Sequence, residues 1–254
     1  ISKQIGLGKK LSTSTKKTVV YNFRKNDLDN GGQGAPLAPI FHELIVKQKK
    51  LKLPSTILNI GGISNITTIN DKFEISSSDI GPGNCLIDRW IRLNTKKKFD
   101  KDGSIARSGK IDKYILKKQI DLFNNSEIIK KKSFDIKDFC SFLGEDQEIK
   151  KSLTIENGAA TFTAITSEIL SKNLKNKNIY VCGGGRKNKF LIESIEKKIE
   201  KKIKLIDEIG IDGDFIESQA FAYLAIRTIL GLPITFPSTT GCKKPTIGGI
   251  VIKN

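Results

Sequence analysis

Three times in this chain a short segment that reads as a strand ends in glycine. Ile57-Leu58-Asn59-Ile60 runs into Gly61-Gly62, residues 74–79 run into Gly81-Pro82-Gly83, and Ile179-Tyr180-Val181-Cys182 runs into Gly183-Gly184-Gly185. The apolar runs 57–60 and 179–182 predict strands by composition, and the serine-rich segment 74–79 is read as a third. A glycine at a strand end lets the backbone turn sharply and lets its N–H groups come close to a bound anion. One such corner is an ordinary tight turn. Three of them, with Gly210-Ile211-Asp212-Gly213-Asp214 ahead of a helix, favour a phosphate-bearing ligand. The string G-x-x-x-x-G-K-[ST] does not occur, which excludes a P-loop, and Gly183 to Arg186 lacks the G-x-G-x-x-G spacing of a dinucleotide fold.

The remaining periodicity is that of an α/β chain. Residues 18–23 predict a strand and residues 35–49 a helix with Pro36 near its first turn. A lysine-rich link ends at Pro54, where we place a lobe boundary. Residues 65–69 predict a second strand, paired like a hairpin with 57–60 around the first glycine corner, and residues 74–79 a third. Helices are expected over 85–93, 157–173, 189–201 and 214–230, with a short strand at 204–206. Residues 109–150 are polar and helical, without the punctuation that would order them.

Composition narrows the function classes. The net charge is +17, yet only six of the 44 basic residues are arginine, the side chain that reads phosphates and bases bidentately. The lysine runs at 96–98, 130–132 and 197–198 lack interleaved aromatics. We read them as solvated surface and expect no nucleic-acid partner. No apolar run reaches the roughly 18–20 residues of a membrane span, and no apolar stretch follows Ile1-Ser2-Lys3-Gln4 as a signal peptide requires. The expectation is a soluble, cytoplasmic protein with no membrane partner. Cys85, Cys140, Cys182 and Cys242 show no C-x-x-C spacing, so neither a zinc site nor a disulfide framework is expected, and no residue is assigned to a metal. Cys182 reads as a buried thiol, and the single histidine, His42, as a structural or surface side chain. The chain begins at Ile1 and contains no methionine, which reads as a missing N-terminal part.

Two acids stand out by position. Asp79 ends a predicted strand just before a glycine corner, where a carboxylate could take a proton from an attacking nucleophile or could simply cap the turn. Glu217 lies in the first turns of a helix, where an acid satisfies the macrodipole without any further role or could approach a metal or substrate.

Taken together, the motifs resemble the anhydro-N-acetylmuramic acid kinase family. The resemblance runs in order along nearly the whole chain. It covers Phe23-Arg24-Lys25-Asn26-Asp27, Gly31-Gly32-Gln33-Gly34-Ala35-Pro36, Leu58-Asn59-Ile60-Gly61-Gly62-Ile63-Ser64-Asn65, and Asp79-Ile80-Gly81-Pro82-Gly83-Asn84 with Asp88 and Trp90. It continues through Phe99-Asp100-Lys101-Asp102-Gly103, Val181-Cys182-Gly183-Gly184-Gly185 with Arg186 and Asn188, Gly210 to Asp214 with Glu217, and Gly231-Leu232-Pro233 to Gly241.

The resemblance implies an α/β, actin-like ATPase fold of RNase-H-like lobes closing over ATP and Mg2+. Residues 1–50 would be the end of the N-terminal lobe with an interlobe helix, and residues 51–254 a complete C-terminal lobe. The activity implied is cleavage of the 1,6-anhydro bond by water with phosphorylation of O6. By the same resemblance Asp79 is the base that activates the water, and Glu217 is an acid near the reacting end. Gly61, Gly62 and Asn65 form a phosphate loop, Gly183, Gly184 and Gly185 a nucleotide-facing loop, and Gly213 and Asp214 belong to the cofactor side. Arg24, Gly32, Gln33, Gly81 and Asn84 lie toward the sugar. The family tends to dimerise, so a homodimer is the oligomer implied.

Some features depart from the family. Asn22 stands where an acid is usual, and Lys131-Lys132-Ser133-Phe134-Asp135 only partly matches a motif containing Thr-Gly-Arg. The family's first phosphate loop, Ser-Gly-Thr-Ser-x-Asp-Gly, and its His-Gly-Gln-Thr segment do not occur. With the missing methionine, these absences read as about 100 residues of the first lobe lying outside the chain, and little or no kinase activity is expected of the 254 residues alone. The alternatives are another actin-like sugar kinase or a non-catalytic nucleotide-binding lobe.

Overall fold

A computed structural model of the chain describes residues 6–130, 133–143 and 152–253. The first elements in chain order are α1 (Gly8–Thr15), β1 (Val19–Tyr21), α2 (Lys25–Asp29), α3 (Pro39–Gln48), β2 (Ser55–Ile60), β3 (Ile63–Ile69) and β4 (Ile75–Pro82). Then come α4 (Cys85–Asn94), α5 (Ser104–Ser108), α6 (Lys113–Asn124), α7 (Ile155–Ser171), β5 (Asn178–Cys182), α8 (Lys189–Ile199), β6 (Lys204–Leu205), α9 (Ile216–Ile229) and β7 (Ile250–Ile252). They divide into two compact units. The first takes residues 1–53, 67–78 and 215–254, and the second residues 54–66 and 79–214.

One sheet runs in the order β4-β3-β2-β5-β6, and its strands β2, β5 and β6 lie wholly in the second unit. The two-residue link Gly61-Gly62 makes β2 and β3 antiparallel neighbours. On its other side β2 pairs in parallel with β5, Ser55 opposite Asn178 through Asn59 opposite Cys182, and β5 pairs in parallel with β6. Parallel pairing demands a long crossover, which α4 to α7 supply. Because β2 sits in the middle of the sheet, Ile57, Leu58 and Ile60 are fully buried, which explains their nearly unbroken apolar run.

Helix α7 is the crossover's spine. Thr154 caps it by accepting from Asn157 N at 3.2 Å, and the helix is buried on almost every side. Trp90 of α4 lies against Gly158, where a Cβ would stand 2.0 Å from the indole. Its Nε1 donates to Ile155 O at 2.8 Å, and its ring meets Phe162 at 5.5 Å. The glycine is therefore a packing requirement of the tryptophan.

The first unit has a smaller core of Leu37, Ile40, Leu224 and Ile234. Strand β1 pairs antiparallel with β7, Val19 opposite Ile252. Neither β7 nor α1 is legible in the sequence, β7 because three apolar residues carry too little periodicity. Helix α3 starts at Pro39, not at residue 35. The Ala35-Pro36 peptide is cis, Pro36 disfavours helical backbone at Ala35, and Pro39 takes the first helical turn. Among the described residues no helix is long and apolar enough to cross a membrane. Cys85, Cys182 and Cys242 are buried and form no disulfide among the described residues.

His42 is structural. It is 2% exposed, and its Nδ1 hydrogen-bonds Thr67 Oγ1 at 2.7 Å. Burial pushes its pKa down to about 4 from 6.5. A pKa depressed in the folded state means that the unfolded chain takes up the proton first. This group's contribution is therefore intact above pH 6.5 and is lost as pH falls toward 4. The loss expected by pH 4 is roughly 3 kcal/mol. Urea unfolding at pH 7 and pH 4.5 checks it: His42→Gln should flatten the pH slope, and an unchanged slope would refute the assignment.

Candidate active site

The glycine corners meet at one end of the β4-β3-β2-β5-β6 sheet. A Cβ on Gly83 would stand 2.2 Å from Gly61 O, and one on Gly183 would stand 2.6 Å from Ile60 O. A Cβ on Gly185 would overlap Ile60 Cγ2 at 2.2 Å. The first two corners are also zipped together by hydrogen bonds: Gly83 N donates to Gly62 O and Asn84 N to Gly61 O, both at 2.8 Å, and Cys85 N to Gly62 O at 3.2 Å. Gly61 N donates to Ile63 O. The amides of Gly61, Gly83 and Asn84, expected from the sequence to converge on an anion, are instead spent on the corners themselves. Gly184 is different. It is exposed, with no atom within 4 Å of where a side chain would start.

Gly184 opens onto a cleft of about 690 Å³, within the size range of small-molecule sites. Its walls come from Asn84 and Asp88 at the start of α4, from Phe99 to Asp102, from the turn after β5 and from Leu205 and Asp207. Gly103, at φ +70°, brings the Phe99–Asp102 wall against the turn, since its Cβ position lies 2.3 Å from Asn188 Oδ1. Asp100 is buried and accepts from Ile105 N and Ala106 N, both at 2.9 Å. Burial pushes the Asp88 carboxyl up to about 6, with Arg92 opposing the rise and Asp100 adding to it.

At the cleft's edge Arg186 is a buried guanidinium forked between two carboxylates. Its Nε donates to Asp207 Oδ2 at 2.8 Å and its Nη2 lies 3.0 Å from Asp214 Oδ1. The Arg186 hydrogen bond holds Asp207 below the ordinary carboxylate range, and Lys187 and Arg186 do the same for Asp214. A Cβ on Gly213 would stand 2.3 Å from Arg186 Nε, so Gly213 makes room for the guanidinium. Asp214, expected inside a helix, precedes α9.

Asp79 lies on β4 with three strand residues still to follow, because the strand continues through Gly81 and Pro82. It is half-buried, and its Oδ2 accepts from Phe134 N at 2.7 Å, with the Ser133 side chain as a second partner. Burial pushes its pKa up and the two hydrogen bonds pull against that. Gly81 faces the core, its Cβ position filled by Ile169 of α7. Asn65 is half-buried on β3, and Asn84 precedes α4.

The remaining predicted site residues lie in the first unit. Gly32 and Gly34 wrap a carboxylate. Asp27 is 1% exposed, accepts from Gly34 N at 2.7 Å and Thr240 Oγ1 at 2.6 Å, and leaves no room for a side chain on Gly32. Gln33 N donates to Thr240 O, and Arg24 Nη1 to Gly34 O at 3.0 Å. Glu217 is exposed in the first turn of α9.

The sequence profile of the family described as anhydro-N-acetylmuramic acid kinase matches residues 1–254. The chain belongs to the anhydro-N-acetylmuramic acid kinase family. A family member from Pelagibacter ubique (strain HTCC1062) is 52% identical over 267 residues, covering 100% of this chain and 70% of the relative. Another from Methylorubrum populi is 38% identical, over 98% of this chain and 65% of its own length, and one from Brucella canis is 36% identical, over 98% and 68%. Among solved structures, the activator of the 2-hydroxyisocaproyl-CoA dehydratase from Clostridium difficile aligns with a TM-score of 0.45 at 15% identity, over 73% of this chain and 67% of that one. As an anhydro-N-acetylmuramic acid kinase relative, the chain has a fold of the actin/Hsp70/sugar-kinase superfamily.

Sequence reasoning missed several residues of this anhydro-N-acetylmuramic acid kinase scaffold. Asp207 follows a two-residue strand and carries no local signal. Arg186 was signalled by its place directly after three glycines, and Asp27 by the glycines that close over it. The contact of Ser133 and Phe134 with Asp79 bridges 55 residues for the Phe134 bond, beyond any local pattern.

Proposed function

We infer that this chain acts in the ATP-dependent conversion of 1,6-anhydro-N-acetylmuramic acid and water to N-acetylmuramic acid 6-phosphate. We assign its nucleotide side to the cleft beside Gly184. Family membership over residues 1–254 supports the reaction. The geometry that carries the site assignment is the shared sheet end, where Gly83 rests on Gly61 and Gly183 and Gly185 rest on Ile60. The strand order, a meander followed by two parallel strands, supports reading residues 51–254, which include the second unit, as the RNase-H-like C-terminal lobe.

In the proposed step Asp79 takes a proton from water as the water attacks C1. The C1–O6 bond breaks, and O6 accepts the γ-phosphoryl group of ATP. Gly62 and Gly184 would face the phosphates. Asn65, Gly213 and Asp214 would support the nucleotide side, Glu217 would stand toward the reacting end, and Arg24, Gly32, Gln33 and Asn84 toward the sugar. Mg2+ enters as MgATP. The ion would neutralise charge on the phosphate oxygens during transfer.

The test is turnover in H2 18O with ATP and the anhydro sugar, quenched early and read by mass spectrometry. The sugar phosphate should carry one 18O at C1 and none in its phosphate. Label appearing only in inorganic phosphate would mean ATP hydrolysis without sugar chemistry, the behaviour of a nucleotide-binding lobe that has lost transfer.

A further inference from the structure

We propose that Ser133 is a positioning residue for this reaction, and that the segment from Ser133 to Ile136 links the carboxylate of Asp79 to the first glycine corner. The inference rests on Asp79 being the base. Phe134 N donates to Asp79 Oδ2 at 2.7 Å, and the Ser133 side chain hydrogen-bonds the same carboxylate. Two residues on, Ile136 Cδ1 lies 3.2 Å from the position a Cβ would take on Gly62. One short stretch thus touches both the group that would take the proton and the corner that would face phosphate.

The stretch is anchored from the core. The ring of Phe134 meets Phe139 edge-on at 5.8 Å, and Phe139, 1% exposed, stacks on Phe123 of α6 at 6.3 Å. The aromatic ladder fixes where the Phe134 amide points, and the amide and the Ser133 hydroxyl together fix the carboxylate. Their chemical effect opposes that of burial. A half-buried carboxylate drifts toward its neutral form, and hydrogen bonds to the ionised form draw it back. A general base has to be ionised before it can take a proton, so the two donors keep Asp79 in its working state as well as in its working orientation. A loop that merely docked on the strand edge would need neither effect.

The experiment is a titration of the Asp79 carboxyl by 13C NMR in the full-length protein and in its Ser133→Ala and Ser133→Thr variants, with pH–rate profiles alongside. Loss of one hydrogen bond to the charged form should move the Asp79 titration upward by about one pH unit. The acid limb of kcat/KM should move with it, KM for ATP should stay within twofold, and Ser133→Thr should restore both. An Asp79 titration that does not move in Ser133→Ala overturns the proposal. Failure of the underlying reading looks different: Asp79→Asn would keep its turnover while the Asp79 titration still responded to Ser133.

Discussion

Asp79→Asn is expected to lower kcat with the anhydro sugar by roughly 10²- to 10⁴-fold, the range that general-base catalysis contributes, while ATP binding by calorimetry stays within about threefold. The substitution separates the base from the scaffold cleanly. Asparagine has the shape of aspartate, and its carbonyl oxygen can still accept from Phe134 N, the 2.7 Å bond that fixes the wild-type side chain. What it cannot do is take a proton from water. Asp79 does not line the cleft assigned to the nucleotide, so ATP affinity has no reason to follow kcat. The pH dependence has a definite sign. Burial raises the Asp79 pKa, with the Phe134 and Ser133 hydrogen bonds opposing it, and only the ionised form is active. Activity therefore falls as pH drops through that raised pKa, and the variant's residual rate should lack this limb. A variant retaining more than a tenth of wild-type kcat would reduce Asp79 to a strand residue that anchors the neighbouring loop.

The strands that carry this carboxylate were legible because burial leaves a local mark. Ile57, Leu58 and Ile60 are apolar in succession since β2 is covered on both faces, and glycines follow because the chain must turn where backbones touch. The glycines also showed how residual the ligand argument was. Their presence is explained by contact with Gly61, Ile60, Arg186, Ile169 and Asp27, and these partners are distant in sequence. Gly184 alone in the third corner has space beside it. What remained illegible is what long-range contact decides. Ile250-Val251-Ile252 becomes a strand only because residues 19–21 offer it an edge. Asp207 becomes part of the site only because Arg186 reaches it. The end of β4 was placed at Asp79, yet Gly81 and Pro82 continue the strand, since Ile169 of α7 packs into the space that Gly81 leaves. A pattern read in windows of ten residues does not contain the helix that makes a glycine necessary.

Gly83→Ala is expected to destabilise the second unit by about 1–3 kcal/mol, the usual consequence of forcing atoms into a filled space, and to weaken ATP binding at least tenfold. The added methyl would stand 2.2 Å from Gly61 O and 3.1 Å from Gly62 O. Both are backbone atoms of a two-residue link, so neither can swing aside as a side chain would. Relief has to come from parting the two corners, and three hydrogen bonds join them there: Gly83 N and Asn84 N to carbonyls at 2.8 Å, and Cys85 N at 3.2 Å. Parting them breaks these bonds and shifts the first turn of α4, from which Asn84 and Asp88 face the cleft. The loss of stability and the loss of affinity should therefore arrive together. Gly184→Ala is the matched control. No atom lies within 4 Å of its Cβ position and its φ is not positive, so its denaturation midpoint should stay at the wild-type value. Urea unfolding and ATP titration of both variants decide the matter. If Gly83→Ala keeps wild-type affinity despite lower stability, the zipped corners are scaffold only. If Gly184→Ala weakens ATP without unfolding anything, the third corner is where the nucleotide meets the backbone.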